Sequence, residues 1–374
     1  MTDRKPLHLL QYGRGLAALA VAAFHLSILL GEPRYLGDAV FHAVTWRGNL
    51  GVDFFFVLSG FIIFYAHDRD IGRPERLRPY LRKRFTRLYP VYWVYALGMC
   101  ALLALGLGSA TAFPHGVTDW ISTLLLVRFD GFELPITPAW SLMHELSFYA
   151  LFGVLILSQR IGWAVLVAWL STAVLFGVYA EEGSRTALNT YFSAFNMDFA
   201  VGIAAYFAWK LRAPRIALPC IGLGLGTVAL CYLAEANGHT LHFHPLGYAL
   251  GFGLIIAGAA ALETHRQFRP IAALKFLGDA SYSIYLTHLA LLGLACKIAI
   301  AATRFVALPH WAIYGIALAA AVLGGCAAHL LVEKPLLRRL RGREQSSAQG
   351  SRGRFTQSTD AGVSLKVQAD LPRP

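Results

Sequence analysis

Ten apolar stretches, each close to the length that crosses a bilayer, constrain this chain more than any other feature. A helix spanning a hydrocarbon core of about 30 Å needs about 20 consecutive, mainly apolar residues. Windows of this kind run over 13–31, 49–65, 90–109, 138–157, 161–179, 190–208, 214–234, 245–262, 280–301 and 310–332. The expected fold class is all-α: a polytopic membrane protein of about ten transmembrane helices. The chain is 56% hydrophobic and 14% charged, whereas soluble domains carry roughly 25% charged residues. A soluble architecture does not fit it.

The basic residues give the expected orientation. Of the 33 Lys and Arg, 26 fall in the N-terminal segment, 66–89, 158–160, 209–213 with Arg215, 263–279 and the chain from 333 onward. Only Arg34, Arg47, Arg128, Arg185 and Arg304 lie in the opposite connections, while Arg14 and Lys297 lie within spans. Because cytoplasmic loops accumulate Lys and Arg, both termini are expected in the cytoplasm. The net charge of +12 follows from this topology, and no nucleic-acid partner is expected. Ala20-Val21-Ala22 resembles a signal-peptide cleavage site, but cleavage there would leave nine spans and reverse the charge pattern. The five cysteines form no CxxC pair and sit in apolar segments, as packing residues do, and no metal site is expected. Residues 1–341 read as one membrane-embedded domain, and the Ser-, Gln-, Gly- and Arg-rich segment 342–374 as a disordered cytoplasmic tail.

Ionisable groups inside a span cost roughly 2.5–3.5 kcal/mol on insertion scales, which makes each one a functional candidate. Arg14 and His25 are eleven residues apart on the first span. Eleven steps of about 100° bring them to one face, about 16 Å apart along the axis. Asp53 opens the second span and Glu145 lies about one and a half turns into the fourth. Counted from the outer ends of their spans, His25, Asp53 and Glu145 fall within roughly 10 Å of the outer boundary, so a His and two carboxylates are expected at one level. A carboxylate that fixes an imidazole tautomer leaves the other ring nitrogen as a general base for activating a hydroxyl. Arg84 and Arg87, at i and i+3 in Arg84-Phe85-Thr86-Arg87-Leu88-Tyr89-Pro90, can cradle an anion. Ser281-Tyr282-Ser283-Ile284-Tyr285-Leu286-Thr287-His288 spaces polar groups along the ninth span. Each feature also has a plainer reading: His25 and the ninth-span groups as interhelical hydrogen bonds, Asp53 as a complement to the helix dipole, the arginines as a positive-inside anchor. Asp198 and Lys297 are intramembrane charges with no partner evident in the sequence.

Taken together, the segments resemble the acyltransferase 3 family of polytopic membrane enzymes. The likeness rests on Arg14-Gly15-Leu16 with Phe24-His25, Gly51-Val52-Asp53 through Ser59-Gly60-Phe61, the Arg84–Pro90 segment, Trp140-Ser141-Leu142 with Glu145, the Ser281–His288 run, and Glu333-Lys334-Pro335. It implies an O-acyltransferase with His25 at the acyl-transfer centre and Asp53 and Glu145 as its catalytic carboxylates. It also implies that Arg14, Arg84, Arg87 and Tyr89 hold an acyl-CoA co-substrate, acetyl-CoA being the commonest, with no permanently bound cofactor. The implied acceptor is a saccharide or glycolipid at the cell surface, with Trp140, Ser141, Tyr282, Tyr285 and His288 as acceptor-side or structural polar groups and membrane lipids as surroundings. His25 acts either as general base or as an acyl-accepting nucleophile, and the base is favoured, with Asp53 or Glu145 orienting its ring. The rival reading is a saccharide or proton-coupled transporter, since intramembrane His, Asp and Glu also build proton relays. The paired, broken half-repeats common in transporters are not found in the sequence.

Overall fold

A computed structural model describes residues 6–129, 131–179, 186–211, 214–239, 244–266 and 269–340, and the tail expected over 342–374 lies outside them. Among the described residues there are helices and no strands. In chain order the helices are α1 (His8–Gly31), the single turn α2 (His42–Thr45), α3 (Gly51–His67), α4 (Leu77–Ala104), α5 (Val117–Leu125), α6 (Trp140–Leu157), α7 (Gln159–Tyr179), α8 (Ala187–Tyr191), α9 (Asn196–Lys210), α10 (Ala217–Ala236), α11 (His244–His265), α12 (Ala272–Ala302) and α13 (His310–Ala328), the last continuing through a π turn at His329–Glu333. Nine helical stretches among the described residues are long and apolar enough to cross a membrane. The window at 190–208 differs: α9 has 15 residues, about 22 Å at 1.5 Å per residue. The break before it is fixed by Asn196, whose Nδ2 donates to Tyr191 O at 2.8 Å while its Oδ1 meets His144 Nδ1 at 3.0 Å.

The end of the bundle where α1 begins is called the near face below, and the end where α1 finishes the far face. α1 has no side-chain cap of its own. The carboxylate of Glu263, at the end of α11, accepts from the backbone N–H groups of His8 and Leu9 at 2.7 and 2.9 Å and complements the positive end of the helix dipole. Helices in lipid associate through close packing of small residues, and two crossings depend on it. At α1–α12 a Cβ on Gly278 would lie 2.1 Å from Gln11 O, and at α3–α9 a Cβ on Gly202 would lie 2.0 Å from Val57 O. Around the second crossing Phe61, Phe64, Phe148, Phe152, Phe199 and Tyr206 form a fully buried aromatic core, whereas α10 presents Leu218, Leu223, Leu225, Leu230 and Leu233 outward, as a lipid-facing helix does.

Two connections expected to run over the outer surface instead fold into the bundle. The turn before α3 is seated on α1, with Gly48 against Ala20 and Phe24 and Gly51 against Ala17 and Val21. Residues 117–129 and 131–139 run inward: Leu126, Leu134, Ile136 and Ala139 are buried, and Arg128 is 5% exposed, with its N–H donating to Tyr191 Oη and Nη1 donating to Phe132 O. Irregular backbone is tolerated at membrane depth only where protein satisfies it. Here α4 does so. Tyr92 Oη, Trp93 Nε1 and Tyr89 Oη donate to the terminal α5 carbonyls of Thr123, Leu124 and Leu125 at 2.6, 2.8 and 2.8 Å.

Replacing Tyr92 by Phe leaves the Thr123 carbonyl buried without this donor, and a loss of about 1–3 kcal/mol is expected. Gly202→Val forces α3 and α9 apart and is expected to cost at least as much. Melting of the purified variants in detergent, followed by tryptophan fluorescence, checks both.

Candidate active site

A cavity of about 1080 Å³ opens at the near face between α1, α3, α4, α6, α12 and the π turn. Its wall carries ten Lys and Arg, among them Arg14, Arg84, Arg87, Lys275, Lys334 and Arg338, against five Asp and Glu. At the rim these charges pair, as in Lys275–Asp279 at 2.8 Å and Arg76–Asp70 at 3.9 Å. The interior keeps an excess of positive charge in a low-dielectric surrounding, a setting that attracts an anionic ligand.

Arg14, Arg84, Glu145 and Glu333 each have an identifiable neighbour. Arg14 Nη1 lies 3.4 Å from Gln11 Oε1, and Gln11 Nε2 donates to Asp279 Oδ1 at 2.7 Å, tying α1 to α12 at the mouth. Arg14 feels the charges of Arg87, Glu145 and Glu333. Glu145 accepts from Ser59 Oγ at 3.1 Å and from the Tyr149 hydroxyl one turn along α6. Glu333 accepts from Ser283 Oγ at 2.6 Å and from His329 Nδ1 at 2.9 Å, and Ser283 is bridged to Tyr95 Oη at 2.8 Å. Arg84 Nη2 donates to His67 Nε2 at 2.8 Å, with its guanidinium 5.8 and 5.6 Å from the ring centres of Tyr80 and Tyr149.

The inner end of the cavity is closed by Ser141 and Tyr285. Their hydroxyls lie 2.9 Å apart and both donate to Pro138 O, at 3.0 and 3.2 Å, so the re-entrant segment supplies the closing contact. One turn further along α12, His288 packs on Tyr285 with ring centres 5.9 Å apart and meets His25 with ring centres 5.0 Å apart. The tautomers of this pair follow from the partners. His288 Nδ1 lies 2.6 Å from Tyr285 O, which only accepts, so Nδ1 carries the hydrogen and Nε2 of the neutral ring is a lone pair. That lone pair faces His25 Nδ1 at 3.2 Å, and Val21 O faces the same nitrogen at 2.9 Å. His25 Nδ1 is therefore the donor to both, and His25 Nε2 is left as an unprotonated base.

The carboxylates are not where counting from span ends puts them. Gly51 packs on Ala17 and Val21, and the Phe54 ring sits over Gly13, so Asp53 stands level with residues 13–17 of α1. That is about 12–18 Å along the axis from His25. The reason is the inward course of the two connections, which starts α3 and α6 inside the bundle instead of at its far boundary. Glu145 accordingly joins the arginines, and Asp53 is buried beside Asp198, which supplies the neighbour the sequence left unassigned, and near Arg47. The groups that meet His25 Nδ1 are Val21 O and His288 Nε2, where a carboxylate was expected.

Arg14, Arg84, Arg87, Ser141, Glu145, Tyr282 and Tyr285 thus share one cavity, whereas Tyr89 and Trp140 do not line it. Tyr89 lies five residues, or about 140° around the helix, from Arg84. It stacks between Phe85 and Trp93 and binds Leu125 O. Trp140 packs on Phe56, His144 and Phe195, and Tyr282 Oη donates to Leu88 O at 3.0 Å. Sequence reasoning missed His67, Tyr149 and His329. Each carried a local signal: His67 to Asp70 at i, i+3, and Tyr149 to Glu145 and His329 to Glu333 at i, i+4.

Comparison with known proteins agrees with this architecture. The exopolysaccharide production protein ExoZ of Rhizobium meliloti is 29% identical over 336 residues, covering 84% of this chain and 99% of its own length. The acyltransferase MdmB of Streptomyces mycarofaciens is 27% identical, covering 87% of this chain and 90% of its own length. The peptidoglycan O-acetyltransferase OatA of Listeria monocytogenes is 27% identical over 74% of this chain, which spans 47% of that longer protein. No solved structure matches. The family model described as an acyltransferase domain matches residues 7–330, nearly the whole described bundle, and the chain belongs to that family of membrane acyltransferases.

Proposed function

We propose that this chain transfers an acyl group, acetyl foremost, from acyl-CoA to a hydroxyl of an exported saccharide, with His25 Nε2 as the general base. The observation that carries the reading is the basic cavity, which ends at Tyr285, one helical turn before His288, the ring that meets a base whose tautomer is fixed. In this reading the near face is cytoplasmic and the protein crosses the inner membrane with both termini inside. Arg14, Arg84 and Arg87 neutralise the donor phosphates, and the thioester arm extends towards Ser141 and Tyr285. The names of ExoZ and OatA, exopolysaccharide production and peptidoglycan O-acetylation, support a polysaccharide acceptor.

The chemistry balances without another group. His25 Nε2 takes the proton of the acceptor hydroxyl as its oxygen attacks the thioester carbonyl. The tetrahedral intermediate collapses with loss of the thiolate, which takes the proton back from the imidazolium and leaves as the free thiol. Val21 O and His288 Nε2 share the His25 Nδ1 hydrogen and keep it in place throughout, and the His288 lone pair stabilises the transient imidazolium. Glu145 and Glu333 offset part of the positive charge at Arg14 until the anionic donor arrives.

Transfer of radiolabelled acetyl groups from acetyl-CoA into a saccharide fraction, measured in membranes with matched protein levels, tests the reading. His25→Ala is expected to lower the turnover about 10²–10⁴-fold. Wild type that incorporates no label overturns the acetyl-CoA assignment, and His25→Ala that incorporates as much as wild type overturns the mechanism. His288→Ala is expected to lower kcat about tenfold or more by removing the lone pair that stabilises the imidazolium, with Val21 O still fixing the His25 tautomer. His288→Gln, whose Oε1 can accept from His25 Nδ1, is expected to recover part of that loss in the same assay.

A further inference from the structure

At the near end of α3 lies an arrangement that no part of the transfer chemistry uses. His67, the last residue of α3, is 4% exposed, deep for an imidazole beside a polar rim. Its Nδ1 lies 2.8 Å from Asp70 Oδ2 and its Nε2 lies 2.8 Å from Arg84 Nη2. A guanidinium has only donors, so Nε2 must be the acceptor, and Nδ1–H is donated to the carboxylate. The His67 ring stands edge-on to Tyr80 with centres 5.0 Å apart, and Tyr80 Oη in turn donates to Tyr149 O at 3.0 Å. The Arg84 guanidinium is thus pinned at one nitrogen by His67 and flanked by the Tyr80 and Tyr149 rings. Its Nε is buried and makes no hydrogen bond in the structure. A long side chain of this kind has many rotamers, and fixing it beforehand removes much of the entropy cost of binding an anion.

We propose that His67, oriented by Asp70, is a positioning residue that presets Arg84 to receive a phosphate group of the donor through its remaining N–H groups. This rests on the donor-binding reading above. Asp70 acts one step further back: by accepting from Nδ1 it fixes the tautomer that leaves Nε2 able to accept. The arrangement parallels the shell of groups that orients the ligands of a metal, with a guanidinium in place of the ion.

Two near-isosteric replacements separate positioning from bulk packing. His67→Gln places a side-chain oxygen close to the position of Nε2 and keeps an acceptor for Arg84. His67→Asn places its amide close to Nδ1, keeping the contact with Asp70 and losing the one with Arg84. Initial rates with acetyl-CoA in proteoliposomes are expected to show KM raised about tenfold in His67→Asn and His67→Ala, kcat little changed, and KM substantially restored in His67→Gln. In an Arg84→Ala background the His67 substitutions are expected to add nothing. A second readout does not depend on the identity of the donor: protection of the purified proteins by inorganic pyrophosphate against thermal unfolding. Weaker protection in His67→Asn than in His67→Gln supports the inference even if wild type uses no acetyl-CoA, in which case only the donor assignment falls. Equal protection of wild type, His67→Asn and His67→Gln overturns it, as does a further rise in KM when His67→Asn is added to Arg84→Ala.

Discussion

The close approach of α1 and α12 is the contact on which the site depends. Gly278 lies so near the Gln11 carbonyl that no side chain fits between the two backbones. At that separation Gln11 reaches Asp279 at the mouth and His25 reaches His288 deeper in, both across the same pair of parallel helices. A base on one helix and its orienting ring on another hold their geometry only if the helices cannot slide, and interlocking backbones are stiffer than side-chain packing alone. The same pairing sets Arg14 on the cavity wall, so donor cradle and base share one rigid scaffold.

Burial of polar backbone explains the rest of the layout. In lipid an unsatisfied carbonyl or N–H is costly, so a chain that dips into the bundle must bring its own partners. Three aromatic side chains of α4 serve the end of α5, and Ser141 and Tyr285 serve the Pro138 carbonyl. With the re-entrant segment anchored in this way, α6 starts deep inside, and Glu145 comes down to the level of the arginines. The position of one carboxylate in the site is thus a consequence of where hydrogen-bond donors exist to receive a loop.

This also marks what could and could not be read from the amino-acid order. The spans were legible because length and apolarity are properties of each segment by itself, Arg14 and Tyr285 were legible as polar groups in costly places, and Arg84 and Arg87 as a basic pair at i, i+3. Depth was not legible. Apolar residues such as Leu126, Leu134 and Ile136 sit in a connection too short and irregular to register as a span, yet they carry it inside. Asp53 was consequently placed level with His25, and the neighbour of that ring, His288, was placed among the acceptor-side or structural polar groups. α9 shows the same limit from the other side: 190–208 is apolar enough for a span, but Asn196 diverts its side chain to the Tyr191 carbonyl and the helix starts late. His67 escaped notice because its role lies in a pair contact across seventeen residues, which hydropathy does not register.

The π turn at His329–Glu333 has a consequence for how this helix tolerates change in length. A π turn holds one residue more than an α turn, so every position after it is rotated by about 100° relative to an uninterrupted helix. That offset belongs to the same stretch that brings Lys334 and Arg338 to the cavity wall while Glu333 stays buried against Ser283. Loss of a single residue here would remove the extra residue together with the π turn, restoring a regular helix that keeps the basic pair at the mouth. Elsewhere in the span, where no such slack exists, a one-residue insertion or deletion acts as a phase error, altering the charge at the entrance while leaving the hydrophobicity of the span almost unchanged.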